Sequence, residues 1–403
     1  MSTAPRSQAR NSKDDGASRD LTLLAALLGI VYLSGPVLAT VRDGMDSIAF
    51  LAAAPFAVLV TLARLQSVLR IAVWTTAFVA LYAISALTVP GGTAGFNHTS
   101  AALSAGAAIL LFASYGKSMV ESQTFRIAAY AVIVAGIVGT WAGGGPKNGM
   151  GGAILYLVAM LLSIMVARAR THYSPYVLAF FVLAGALGFI LDFRGLIGYA
   201  AVLVLAYLGA ATLPKRLFWL VGIVGSSIVV GVTMWYFINI ATSALADTIT
   251  RLVSDASGRR AASGRDWLWP AILETVGSRD PWFGLGAGML PRDFMPTDLS
   301  SHSYYIQVYL QLGFVGLTVL VGLLLSVWKP LAFSTDAPGY FGAAIFLMFV
   351  THNATEVLMF QNALLVGIPA WCAIGLAISV TKKSTALPMR PQTEAATGLR
   401  GRR

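Results

Sequence analysis

The chemistry this chain could do rests on a few polar residues set among long apolar runs. His302 lies in Ser301-His-Ser-Tyr-Tyr-Ile-Gln-Val-Tyr-Leu-Gln-Leu-Gly-Phe-Val-Gly316, at the head of an apolar segment. On a continuous helix, His302, Tyr305, Tyr309, Gly313 and Gly316 would share one face, and the glycines would let a second helix approach closely. That face predicts a histidine turned towards protein rather than lipid. An imidazole near neutrality can take a proton from a hydroxyl nucleophile, although a histidine at a helix end can equally serve as a cap or interfacial residue.

A second set is cationic. Residues 241–302 hold six arginines and no lysine, beside seven acids (Asp247, Asp255, Asp266, Glu274, Asp280, Asp293 and Asp298). Arginine presents a planar, always charged fork that grips phosphate bidentately. The choice of arginine suggests an anion site for a phosphate or diphosphate; its acids would also balance the segment as a plain solvated loop. Arg194, in Leu191-Asp-Phe-Arg-Gly-Leu-Ile, is wedged between two apolar runs, where it must snorkel, pair with Asp192 or serve a site.

Other polar features read more plainly. Gly284-x-Gly-x-Gly288 has the look of a phosphate cradle, but no strand precedes it, so a nucleotide site is not expected. His352 and Glu356, in Thr-His-Asn-Ala-Thr-Glu, sit near the end of an apolar segment, where helix packing is expected ahead of a cavity role. His98 and His172 read as ordinary loop histidines.

The elements that must position these groups follow from composition. Apolar residues make up 57% of the 403 and charged residues only 11%, where soluble domains run about 45–50% apolar and about 25% charged. That excludes an array of soluble domains. The net charge of +11 is spread over short loops without the interleaved aromatics of a nucleic-acid groove, so no nucleic-acid partner is expected. The single Cys372 can form no internal disulfide and no thiolate metal cage.

Apolar stretches long enough to cross a bilayer recur at about 21–41, 47–66, 69–89, 99–116, 124–143, 149–167, 175–192, 195–213, 217–240, 303–327, 339–358 and 363–381. They lack period-two alternation, so the predicted fold is all-α and polytopic, with twelve transmembrane helices and no barrel. With the N-terminus inside, 19 of the 28 basic residues fall on the cytoplasmic side, and both termini are assigned there. The polar segments 1–20 and 382–403 read as disordered flanks. The expected organisation is therefore helices one to nine over 21–240, a long loop over 241–302, and helices ten to twelve over 303–381. Within the loop the spacing predicts a helix over Arg265–Val276, with Trp267, Leu268, Ala271, Ile272 and Thr275 on one face and Ser263 as its cap. Pro281 ends it before a tight glycine-rich turn.

Taken together, these motifs resemble the O-antigen ligase and Wzy-type polymerase superfamily. His302-Ser303, nine residues, then Gly313-x-x-Gly316 matches that family's H-[NSQ]-x9-G-x-x-G pattern. Ser263-Gly-Arg-Asp-Trp-Leu-Trp269 followed by Asp280-Pro-Trp-Phe-Gly-Leu-Gly286 is similar to its arginine helix and P-x-x-G-x-G segment. Phe193-Arg-Gly195 is similar to its arginine at an extracytoplasmic helix junction. The motifs span roughly 190–330, and the helix layout extends the resemblance over the chain.

The resemblance implies a GT-C-like glycosyltransferase of the bacterial inner membrane, working without cofactor or metal. No D-x-D occurs in the sequence, which fits. Such enzymes move a glycan from undecaprenyl diphosphate to a hydroxyl on the periplasmic face. The acceptor is a glycan, a lipid A core sugar or another hydroxyl, in polysaccharide polymerisation or ligation. The loop over 241–302 would then be the periplasmic catalytic loop. Carried over, Arg194 and Arg265 would hold the diphosphate and His302 would orient or deprotonate the acceptor hydroxyl. Arg259, Arg260 and Tyr305 would contact lipid phosphate or sugar. The alternative is a multi-pass transporter of an anionic or lipid-linked solute, which twelve helices would also suit. Against it, no half-to-half repeat is visible and the polar residues gather at one face.

Overall fold

The computed structural model describes residues 7–41, 44–89, 92–143, 147–169, 174–190, 195–239, 243–257, 264–297, 299–360 and 364–381. Among these the chain is all-helical, as its unbroken apolar runs require. The helices are α1 (Ser7–Leu33), α2 (Gly35–Val41), α3 (Met45–Leu62), α4 (Leu65–Thr88), α5 (Gly92–Glu121), α6 (Gln123–Ala142), α7 (Lys147–Ala169) and α8 (Ser174–Ile190). They continue with α9 (Gly195–Thr212), α10 (Lys215–Asn239), α11 (Ala244–Ser257), α12 (Arg265–Arg279), α13 (Tyr304–Ala332), α14 (Ala337–His352) and α15 (Leu364–Val380).

This is a polytopic membrane protein. Eight of the described helices (α3, α4, α5, α6, α7, α9, α10 and α13) are long and apolar enough to cross a bilayer. Ser18–Leu33 and α2 together could make a ninth, bent by 52°. The break in the expected 21–41 span falls at Ser34, whose hydroxyl bonds the Val31 carbonyl at 2.8 Å just before Pro36 in the first turn of α2. Upstream, α1 starts at Ser7, so helix reaches into the segment read from sequence as a polar flank; residues 1–6 and 382–403 lie outside the described residues.

The core sits around α5, α7, α14 and α15. α15 is buried except at Leu365 and its last three residues, and it packs between α5 and α7, with α14 running against α9 and α13 against α4. The periphery is the opposite. Along α10, Leu217, Leu220, Val224, Ile228 and Val232 stand exposed, an apolar surface that only lipid would cover.

Among the described residues between α10 and α13, the chain forms two α-helices, a glycine-rich turn and a short 3-10 turn over Pro291–Asp293. The predicted Arg265–Val276 helix is present as α12, but its inward face differs from the expected one. Leu268, Trp269, Ile272 and Val276 are buried, whereas Trp267 is 47% exposed. Trp269 wins the inward position because it packs edge-on against Phe237 of α10, with Ile306 and Leu310 of α13 in the same cluster. The expected cap Ser263 lies outside the described residues; Gly264, at φ 85°, stands at the N-cap. The second helix, α11, was not expected. It is joined to α10 through Tyr236 and Thr250, whose hydroxyls lie 2.9 Å apart.

Candidate functional site

The site is assembled from the start of α12, the approach to α13, and the turn that follows α14. Arg265 is the first residue of α12. His302 precedes α13 at φ 50°, the one non-glycine residue with positive φ among the described residues. Such strain persists only where the surroundings impose it. Here the flanking Ser301 and Ser303 are fully buried, and the Trp269 indole donates to the Ser301 carbonyl at 2.6 Å. The Tyr304 amide donates to the carbonyls of Asn353 and Glu356, at 2.9 and 3.0 Å, which ties the head of α13 to the turn after α14. That turn is itself held by Asn353, whose side-chain carbonyl accepts from the amides of Leu358 and Met359, both at 3.0 Å.

These restraints bring three ionisable groups together. One carboxylate oxygen of Glu356 lies 3.8 Å from Arg265 Nη2, and the other lies 3.9 Å from His302 Nδ1. The side chains of Arg265, Glu356 and His302 are 13%, 19% and 32% exposed. Arg265 Nη2 also donates to the Thr355 carbonyl at 3.0 Å, while its Nε is buried without a partner among the described residues. Burial pulls this guanidinium down from the usual arginine range; the negative charge of Glu356 opposes that shift, and Tyr199 adds to the opposition. Arginine stays charged through any such shift. The arrangement offers a desolvated cationic fork with unfilled hydrogen-bonding capacity, beside an imidazole and a carboxylate. It can hold an anion and move a proton.

The surroundings are aromatic and hydroxylic. Tyr199 of α9 hydrogen-bonds the Thr355 hydroxyl and stacks on His352 with ring centres 4.0 Å apart. His352 is almost wholly buried, and its Nδ1 lies 3.1 Å from the Tyr156 hydroxyl, so packing is its role, as its place in the sequence suggested. Tyr305 donates its hydroxyl to the Val350 carbonyl at 2.8 Å.

The glycine motifs act differently from the sequence expectation. The continuous face through His302, Tyr305, Tyr309, Gly313 and Gly316 does not form. The helix starts only at Tyr304, and Gly313 breaks it with φ 61° and ψ −156°. The break receives the turn after Pro281. Leu285 and Gly286 amides donate to the carbonyls of Leu310 and Gln311, at 2.7 and 3.1 Å, and Phe314 and Val315 amides donate to those of Pro281 and Trp282, at 2.9 and 3.0 Å. The two backbones touch: a Cβ on Gly284 would fall 2.6 Å from the Gln311 carbonyl carbon, and one on Gly313 would fall 2.4 Å from that of Trp282. The two glycine motifs are therefore halves of one interlock. With its Leu285 and Gly286 amides taken by α13 and that of Ala287 by Ser85, the turn is no phosphate cradle.

Compared with known proteins, the chain matches no family model and no curated sequence.

Several sequence candidates are thus accounted for. Arg265 and His302 are brought to one carboxylate, and Tyr305, close after His302 in the chain, is tied to α14 through the Val350 carbonyl. Arg194, Arg259 and Arg260 lie outside the described residues; α9 begins at the residue after Arg194. His172 also lies outside them. His98 is no loop histidine: it is buried in α5, with Nδ1 2.9 Å from the Gln311 amide nitrogen. Glu356 was undervalued from sequence, and its signal was an acid at the end of an apolar segment. Thr355 and Tyr199 carried no signal. A separate cavity of about 1260 Å³, bounded by Asp46, Asn97, His98, Thr140, Leu290 and Arg292 among others, lies beyond the interlocked turn; neither Arg265, His302 nor Glu356 lines it.

Proposed function

We propose that this chain is a metal-independent glycosyltransferase that moves a glycan from undecaprenyl diphosphate to an acceptor hydroxyl, as its resemblance to O-antigen ligases and Wzy-type polymerases implies. The observation that carries the reading is the convergence of Arg265 and His302, from separate elements, on Glu356 at 3.8 and 3.9 Å. In this reading His302 takes the proton of the acceptor hydroxyl. The oxygen forms a bond to the anomeric carbon of the donor glycan, and the bond from that carbon to the diphosphate oxygen breaks. The electron pair stays on the diphosphate, where Arg265 stabilises the growing charge with a fork that needs no reorganisation. Arg194, Arg259 and Arg260 add further phosphate contacts, and Tyr305 a sugar contact.

Counting Ser18–Val41 as one bent span, and α8, α14 and α15 as three more beside the eight long helices, gives the twelve-span layout of that superfamily. The site then faces the periplasm, both termini face the cytoplasm, and the 1260 Å³ cavity offers room for part of a glycan. The test is complementation of a strain lacking the gene with wild type, Arg265→Ala or His302→Ala, followed by extraction of surface polysaccharide and lipid-linked intermediates. Wild type should restore polymer, and both variants should accumulate undecaprenyl-linked glycan at normal protein levels. Single repeat units would mark a polymerase, and finished chains a ligase. Full complementation by both variants would refute the proposal.

A further inference from the structure

We propose that Glu356 is the resting counter-ion of Arg265 and a positioning residue for His302, and that an arriving diphosphate takes the arginine from it. This rests on the reading that Arg265 binds the donor diphosphate. The geometry is that of a shared carboxylate. Each oxygen faces a different partner, at 3.8 Å for Arg265 Nη2 and 3.9 Å for His302 Nδ1. Both separations exceed a hydrogen bond, so the carboxylate is locked to neither partner and can be exchanged between them. The carboxylate's own backbone is fixed on both sides: the Glu356 amide donates to the His352 carbonyl at 3.1 Å, and its carbonyl accepts from the Tyr304 amide at 3.0 Å. The Nε of Arg265 adds a buried donor with no partner among the described residues.

A buried donor without a partner is costly, and a phosphate oxygen would satisfy it. A diphosphate carries more charge than one carboxylate and matches the fork bidentately, so it outcompetes Glu356 for Arg265. Glu356 is then repelled by the phosphate and left to His302. A carboxylate at Nδ1 holds the proton there and leaves Nε2 to accept from a hydroxyl, the orientation that a histidine base needs. Donor arrival and readiness of the base are thereby linked through one side chain. Among the described residues, the titratable and charged groups around Glu356 are Arg265 from α12, His302 ahead of α13, Tyr199 from α9 and His352 from α14.

The test uses the full-length protein in nanodiscs, with inorganic pyrophosphate as probe and glycan transfer as the second readout. Glu356→Gln removes the competing anion, so pyrophosphate should bind about tenfold more tightly, a typical coupling between two groups sharing a site. Its turnover should fall by about a hundredfold, the usual scale for a misdirected base. A gain in affinity cannot come from damaged folding. Glu356→Asp, which keeps the charge, should restore pyrophosphate affinity to the wild-type value and recover part of the turnover. The inference is overturned if Glu356→Gln binds pyrophosphate no more tightly than wild type, or turns over at the wild-type rate. The underlying reading fails separately, if Arg265→Ala binds pyrophosphate like wild type or His302→Ala keeps its transfer activity.

Discussion

Replacing Gly313 by alanine should release the glycine-rich turn from α13. The position has φ 61° and ψ −156°, a region that only glycine occupies freely, and a side chain there costs about 1–3 kcal/mol. The new Cβ would fall 2.4 Å from both the carbonyl carbon and the oxygen of Trp282, and 2.7 Å from the Gly284 nitrogen. All three are backbone atoms, so one strand of chain must move. Movement breaks the bonds made by the amides of Leu285, Gly286, Phe314 and Val315, each worth about 0.5–1.5 kcal/mol net. Taking the lower ends together, docking of the turn weakens by about 3 kcal/mol or more. Amide exchange at these four positions should accelerate by about a hundredfold or more. Hydrogen exchange on the purified protein reads this directly, with Gly231→Ala as control. A Cβ on Gly231 meets nothing within 4 Å, so that helix substitution should be neutral or stabilising by about 0.5–1 kcal/mol. Equal exchange in the two variants would refute the interlock.

Further substitutions probe the rest of the frame. Gln311→Leu removes the acceptor of the Tyr82 hydroxyl at 3.1 Å, the partner of His98, and one of the two donors to the Met289 carbonyl, which keeps Gln307; thermal unfolding should show a loss of about 1–3 kcal/mol. Trp269→Phe removes both the donor to the Ser301 carbonyl and the five-membered ring of a fully buried indole; thermal unfolding should show a loss of about 1–3 kcal/mol, and transfer activity should fall as the restraint on His302 loosens. Cys372 is fully buried; maleimide should leave it unlabelled in the folded protein and label it after denaturation, and labelling of the native state would contradict the packing of α15.

Much of the fold is written in the apolar periodicity. The runs at 47–66, 69–89 and 217–240 became α3, α4 and α10 with small shifts at the ends, because a chain in lipid has few other ways to satisfy its backbone. The path around Gly313 was not legible. A glycine pair three apart reads equally as a helix contact or as a break, and only the docking of residues 281–288, distant in sequence, decides between them. Arg265 and His302 stood out by residue type and position, so the candidate site was half visible. Glu356 did not, because its value comes from the turn after α14, which ends the 339–358 run early at His352 and swings the carboxylate back towards α12 and α13. His98 misled for a related reason: the polar residues at the start of α5 resemble a loop until Gln311 supplies the partner of the buried His98.

Direct transfer by the reconstituted protein tests the central claim most closely. Purified wild type in liposomes would be given undecaprenyl-diphosphate-linked glycan with labelled sugar, and an acceptor glycan. Label should pass to the acceptor with release of undecaprenyl diphosphate in the presence of a chelator, and Arg265→Ala and His302→Ala should each lower the rate by about a hundredfold or more. Transfer that persists undiminished in both variants would remove Arg265 and His302 from the chemistry, and a wild-type protein that moves the labelled molecule across the bilayer without cleaving it would be a transporter and not a transferase.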